Sequence, residues 1–150
     1  MRYLLVDRIT DWKAGESITG IKNVAMSEDF LEFHFPGNPV MPGALLLEAL
    51  VQLTGWLRAA SSDFAEWFLL GTVRKCNFYG FILPGDQVQL EVHRLRDSSS
   101  GQPEYQGIAA VEGKKKIKVS FSGEQISLDS IEDVAEQRKF FQVLTRNLAV

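Results

Sequence analysis

The chain of 150 residues has one cysteine, Cys76, and two histidines, His34 and His93. A lone cysteine excludes an intramolecular disulfide, and so few histidines exclude a Cys/His zinc cage, so no metal is expected. Charge of one sign is also lacking. The 16 Lys+Arg against 19 Asp+Glu leave a net charge of −3, which gives no global basic field and makes nucleic acid an unexpected partner. Long apolar runs are missing as well. The run from Tyr3 to Val6 stops at Asp7 and Arg8, too short for the apolar core of a signal peptide. The stretch from Ala44 to Ala60 is broken by Glu48, Gln52, Thr54 and Arg58 and is shorter than the ~20 residues of a membrane span. A cytoplasmic protein with no membrane partner is expected. There is no internal repeat, no low-complexity segment and no G-x-S-x-G nucleophile elbow.

What is present is the material for one ordinary core. Hydrophobic residues make up 45% and charged residues 23%, and a chain of this size buries roughly 70% of its unfolded surface. Pro36, Gly37, Pro39, Pro42 and Gly43 crowd into one short stretch and forbid a regular element there. From Pro42 the residues ALLLEALVQLTGWLRAA predict a helix with apolar residues on nearly every face, so it is expected to be wrapped on all sides. Alternation at Val88, Leu90 and Val92, at Tyr105, Gly107, Ala109 and Val111, and at Ile117, Val119 and Phe121 predicts antiparallel strands. Glu112-Gly113-Lys114 marks a hairpin, and DSSSGQP from Asp97 to Pro103 a longer connection. Ser17 to Val24 reads as a first strand, and Phe68 to Val73 and Cys76 to Leu83 as two more, ended by Pro84-Gly85-Asp86. The tail from Ser130 carries Ile131, Val134, Ala135, Phe141, Leu144 and Leu148 at helical spacing, with Asp129 or Ser130 as its cap. The fold class is α+β.

Three residue types that carry chemistry converge at the start of the long helix. Glu48 sits on its apolar surface, where burial favours the neutral carboxyl and makes it a proton donor; the alternative is that it faces solvent or pairs with a cation. Gln52, one turn on, shares its face and could hold the carboxyl by a hydrogen bond. His34, beside the rigid Pro36-Gly37, has an ordinary pKa of ~6.5 and suits a general base, although a lone histidine is more often structural. Gly43 offers a backbone N–H at a helix N-terminus, suited to a developing oxyanion, or simply lets the chain turn. A base, an acid and an oxyanion donor without a nucleophile point to elimination or hydration beside a carbonyl. His93 is expected on the surface, Cys76 has no role, and Trp12, Trp56 and Trp67 read as core or interface anchors.

The run HFPGNPVMPGALLLEALVQLTG, with Leu4 to Arg8 and Lys22-Asn23-Val24 upstream and Pro84-Gly85-Asp86 and Ala110-Val111-Glu112-Gly113 downstream, resembles the bacterial 3-hydroxyacyl-[acyl-carrier-protein] dehydratases of the FabZ/FabA family. The resemblance covers roughly residues 3 to 122. It implies a hot-dog fold, a bent antiparallel sheet around one long helix, over residues 1–125, with 126–150 as a C-terminal helical extension. It implies His34 as base and Glu48, from the other subunit of a homodimer or larger assembly, as acid. Glutamate at that position favours the FabZ side. His34 would remove the C2 proton, Glu48 would protonate the leaving C3 hydroxyl, and the Gly43 N–H would hold the thioester oxygen. The partner implied is an acyl carrier protein of fatty acid synthesis, and no cofactor is implied.

Two positions depart from the family pattern. Phe33 stands where glycine usually precedes the histidine, and Tyr79-Gly80-Phe81 replaces basic residues followed by proline. The second change removes charges that receive the acidic carrier. Arg74, Lys75 and Lys114 to Lys116 are the available substitutes, although the triplet reads better as a solvated turn. Two other readings therefore stand beside the dehydratase: a catalytically weak acyl-carrier binding or partner subunit, and a hot-dog thioesterase or CoA hydratase.

Overall fold

The computed structural model describes residues 4–31, 37–96 and 101–146. Six strands form one antiparallel sheet: β1 (Arg8–Lys13), β2 (Ser17–Asn23), β3 (Glu66–Phe78), β4 (Gln87–Arg94), β5 (Glu104–Val111) and β6 (Lys114–Ser127). Their order across the sheet is β1-β2-β4-β5-β6-β3. The helix α1 (Gly43–Ser61) lies between β2 and β3 in the chain, and α2 (Val134–Thr145) ends it. A single helix, about 10 Å across, touches all six strands, although strands spaced about 4.8 Å apart make a much wider sheet. The sheet must therefore curl around α1, which is the hot-dog arrangement the sequence implied.

The alternating residues are the ones that face the helix. Val88, Leu90 and Val92 on β4, Tyr105 and Ala109 on β5, and Ile117, Val119 and Phe121 on β6 are all buried, packing with Leu46, Leu50, Leu53 and Leu57 of α1. Gly107 marks the closest approach: a Cβ there would sit 3.0 Å from Leu50 Cδ1. The expected hairpin joins Val111 to Lys114. Glu112 at φ 50° and Gly113 at φ 78° are both left-handed, the two-residue turn whose twist matches the strands.

Several local expectations change. Arg8–Lys13 is a strand of its own, paired with β2, where only Ser17 to Val24 was expected. The two runs expected at Phe68 to Val73 and Cys76 to Leu83 are one strand, β3, which ends at Phe78. Its irregular pairing with β6 between Leu70 and Lys75 breaks the alternation that would have revealed its length. The last helix begins at Val134, capped by Asp133, whose Oδ1 accepts from Ala135 N at 2.9 Å and Glu136 N at 3.3 Å. Asp129 and Ser130, expected as the cap, belong instead to a short 3-10 turn, Leu128–Ser130. Leu148 and part of the Asp97 to Pro103 connection lie outside the described residues.

The helix α2 docks through aromatic rings. Trp56 on α1 lies 5.6 Å from Phe140 and 5.8 Å from Phe141 of α2, Phe64 lies 5.5 Å from Phe141 and Trp12 6.0 Å from it. Trp67 meets Trp56 edge-on at 5.1 Å. The three tryptophans are the anchors expected from the sequence. Gly55, inside α1, leaves room for the Trp67 ring lying on it.

Candidate active site

The loop from residue 24 to residue 42 carries the candidate base, and both of its ends are fixed to the same segment. At one end Val24 N donates to Asp86 O at 3.0 Å and Val24 O accepts from Gly85 N at 2.7 Å. At the other, Met41 N donates to Ile82 O at 2.9 Å. Asp86 also closes its own turn, its Oδ2 accepting from Leu83 N at 2.9 Å. The separated sequence pieces Lys22-Asn23-Val24, Pro42-Gly43 and Pro84-Gly85-Asp86 are thus parts of one clamp. Lys22, only 3% exposed, braces the loop's start: its Nζ lies 2.5 Å from Glu28 Oε1 and 3.6 Å from Asp7 Oδ2. A buried lysine needs such partners, and the sequence reading missed this pair because nothing in local pattern marks a lysine on a strand as buried. His34 and Phe33 lie outside the described residues.

Gly43 is the first residue of α1, after Pro42, whose carbonyl accepts from Leu45 N at 3.0 Å and Leu46 N at 3.2 Å. The Phe78 ring lies over it: a Cβ at this position would come within 2.5 Å of Phe78 Cε1. Glycine lets that ring lie against the first turn of α1, whose outward N–H groups and positive dipole end suit an oxygen that gains negative charge.

Glu48 is exposed in the single chain, and Leu45, Leu47 and Gln52 around it are half-buried. The expectation of a helix wrapped on all sides holds for its second half and fails for its first, because the sheet reaches only one side of α1 there. Gln52 does what its spacing predicts. Its Oε1 accepts from Leu5 N at 2.9 Å, which turns the amide nitrogen outward to donate to Glu48 Oε1 at 3.3 Å. The acid is therefore oriented from the core through Gln52. Glu48 lies five residues beyond Gly43, about 140° around the helix and about 7.5 Å along it.

A model of the FabA-like domain family matches residues 1–120. The chain belongs to this family. Among curated relatives, the 3-hydroxyacyl-[acyl-carrier-protein] dehydratase FabZ of Nitratidesulfovibrio vulgaris is 43% identical over 115 residues, covering 75% of this chain and 74% of that protein. FabZ of Histophilus somni is 40% identical over 114 residues, covering 75% of each. Solved structures match in fold: the smu.793 protein of Streptococcus mutans bound to acetyl CoA, at TM-score 0.64 and 12% identity over 85% of this chain and 94% of that one, and the dehydratase heterocomplex ApeI:P of Xenorhabdus doucetiae, at 0.59 and 13% over 75% and 91%. The matched region holds β1 to β5, the first half of β6, the clamped loop and α1. The helix α2, beginning at Val134, lies beyond it.

The remaining sequence candidates stay outside the site. His93 is half-exposed on β4 and pairs with Glu91. Cys76 is a free thiol on β3 whose pKa burial pushes up. Among the described residues no cluster of His, Cys, Asp and Glu could hold a metal ion, and no helix is long and apolar enough to cross a membrane.

Proposed function

We infer that the protein dehydrates 3-hydroxyacyl thioesters carried by an acyl carrier protein to trans-2-enoyl thioesters in fatty acid synthesis. The observation that carries this is the oriented acid: Glu48, held by Gln52 near the N-terminus of α1 in a FabA-like fold, in a chain 40% identical to a FabZ dehydratase. His34 is the base that removes the C2 proton. Glu48 delivers a proton to the departing C3 hydroxyl, and the Gly43 N–H holds the thioester oxygen, which gains charge as the C2 proton leaves. Atoms balance without a cofactor: the substrate loses water and Glu48 is reprotonated from the proton taken up by His34 or from solvent.

The acid serves a site completed by a second copy of the chain, in a homodimer or larger assembly. Two features support this. Glu48 faces away from the Gly43 side of α1, and a carboxyl that must be a proton donor near neutral pH needs burial that this chain alone does not supply. We treat residues 1–125 as the catalytic hot-dog domain and 126–150 as its helical extension, acting in the cytoplasm where the carrier is found.

The test is turnover of 3-hydroxyacyl-carrier substrate by wild type, His34→Ala, Glu48→Gln and the two variants co-expressed. Each variant alone is expected to lose turnover, and the mixed assembly to regain part of it, since one of its sites pairs an intact His34 with an intact Glu48. Full activity in either variant ends the assignment. A mixture as inactive as its parents ends the shared-site arrangement alone.

The thioesterase reading gains nothing from the solved structures, whose likeness is one of fold. The reading as a catalytically weak carrier-binding subunit keeps one observation in its favour: Tyr79, Gly80 and Phe81 are exposed where the family carries basic residues. Lys115 lies 5.8 Å over the Tyr79 ring, so a cation does stand at this position, supplied by the β5–β6 hairpin. Binding of carrier without turnover would favour that reading.

A further inference from the structure

The inward face of β2 carries Ile18, Gly20 and Lys22, and all three are buried. Lys22 thus puts an ammonium where the alternation of the strand calls for an apolar side chain, opposite the fully buried Val88 of β4. Apolar residues of similar size often serve as well as a buried ion pair or better, so holding the core together does not require this charge. What the charge does is choose partners. The Lys22 Nζ reaches two carboxylates, Glu28 Oε1 at 2.5 Å and Asp7 Oδ2 at 3.6 Å. Asp7 is fixed on the side of the sheet, its N donating to Ile21 O at 2.8 Å and its Oδ2 accepting from Asn23 N at 2.7 Å. Glu28 belongs to the loop. Its N donates to Ala25 O and its O accepts from Leu31 N, both at 3.1 Å, in the turn whose Phe30 and Leu31 enter the core. His34 follows Leu31 by three residues, which span about 10 Å at most.

We propose that Lys22 is a positioning residue for the base: through Glu28 its buried ammonium sets where the loop leaves the sheet, and so where His34 meets the substrate. This rests on the dehydratase reading for the task of His34. An apolar side chain in place of Lys22 would pack against the loop at several nearby offsets with similar energy, because burial of apolar surface has no direction. An ammonium paired with a carboxylate holds to one geometry, since leaving it strands a buried charge. A base needs that selectivity, as a displacement of about 1 Å can cost about 100-fold in rate. The same ammonium also reaches the support of the acid. Asp7 ends the short segment whose Leu5 N–H holds Gln52 and, through it, Glu48.

The chain has only two histidines, so in a His93→Gln background the imidazole signals of an NMR spectrum report His34 alone. His93 is half-exposed on β4 and pairs with Glu91, outside the site, and this background should turn over as wild type does. Two variants are made in it as untagged full-length protein. Lys22→Met keeps the bulk and removes the charge. Glu28→Ala leaves Lys22 its Asp7 partner and keeps the test open if Lys22→Met does not fold. Expected in both is a His34 signal that shifts or splits, with a urea midpoint near that of the background. The kcat for 3-hydroxyacyl-carrier substrate should fall about tenfold or more while KM changes less than about twofold. The double variant should lose no more than the worse single one, because both remove the same pair. Wild-type kcat or an unmoved His34 signal in Glu28→Ala overturns the proposal, as does either result in a folded Lys22→Met. Losses that add in the double variant overturn it too. A wild type that turns over no carrier-bound chain ends the dehydratase reading, and the His34 signal then still decides whether Lys22 places the histidine.

Discussion

Gln52 presents its amide nitrogen to Glu48 because the Leu5 N–H has taken its oxygen. A glutamine is needed for this, since one end must accept and the other donate. Gln52→Leu should lower turnover and also destabilise the fold by about 1–3 kcal/mol, as the Leu5 N–H loses its acceptor. Gln52→Glu should keep an acceptor for Leu5 while setting a second carboxylate beside Glu48. Like charge favours the neutral form, so the alkaline limb of the rate profile, where the proton donor is lost, should move to higher pH. A pH–rate series together with urea denaturation checks both.

Gly43→Ala should cost far more in turnover than in stability. The added methyl meets the Phe78 ring, an exposed side chain that can move aside, so urea denaturation should change by less than about 1 kcal/mol. The displaced ring or the methyl itself then stands where the thioester oxygen must approach. Phe78→Ala combined with Gly43→Ala should restore part of the activity, measured as kcat/KM against each single variant.

Gly55→Ala should destabilise the protein even though alanine is the better helix former by about 1 kcal/mol. The methyl would enter the plane of Trp67, itself packed against Trp56, and overpacking of this kind costs about 1–3 kcal/mol or more. Thermal unfolding followed at the tryptophan emission maximum reads the net sign.

Docking of α2 should weaken in acid. Arg138 donates to Asp63 Oδ1 and to the Asp63 carbonyl, both at 2.9 Å, and this hydrogen bond and charge hold the Asp63 carboxyl below its ordinary 3.8. A carboxylate whose folded value is depressed contributes stability above its ordinary value and loses it as pH falls through the folded one. In an acid titration of tryptophan fluorescence, Asp63→Asn should lack this component of the transition while keeping the aromatic contacts of Phe140 and Phe141.

Cys76 should react slowly with iodoacetamide at neutral pH, since burial raises its thiol pKa and leaves little thiolate. Labelling followed by mass spectrometry should accelerate once the protein is unfolded in urea.

The helix, the alternating strands β4 to β6 and the hairpin at Glu112-Gly113 were legible in the sequence because period and turn chemistry are local signals. Gln52 was legible for the same reason, as a neighbour one turn from Glu48. The length of β3 was not, since its irregular pairing interrupts the alternation, and neither was the cap at Asp133, hidden behind Asp129 and Ser130, which match the same local pattern. The exposure of Glu48 was illegible for another reason: apolar residues around a helix reveal that something covers them and say nothing of whether the cover belongs to the same chain. Lys22 with Glu28 and the double tether of the loop needed three-dimensional contacts that no spacing encodes.

The tether has its own consequence. Val24 and Met41 are bound to the turn at residues 82–86 rather than to each other, so these two feet stand on a common sill. A lesion in the sill, such as Asp86→Ala, would disturb both feet at once and would register as damage to a histidine more than fifty positions away in the chain.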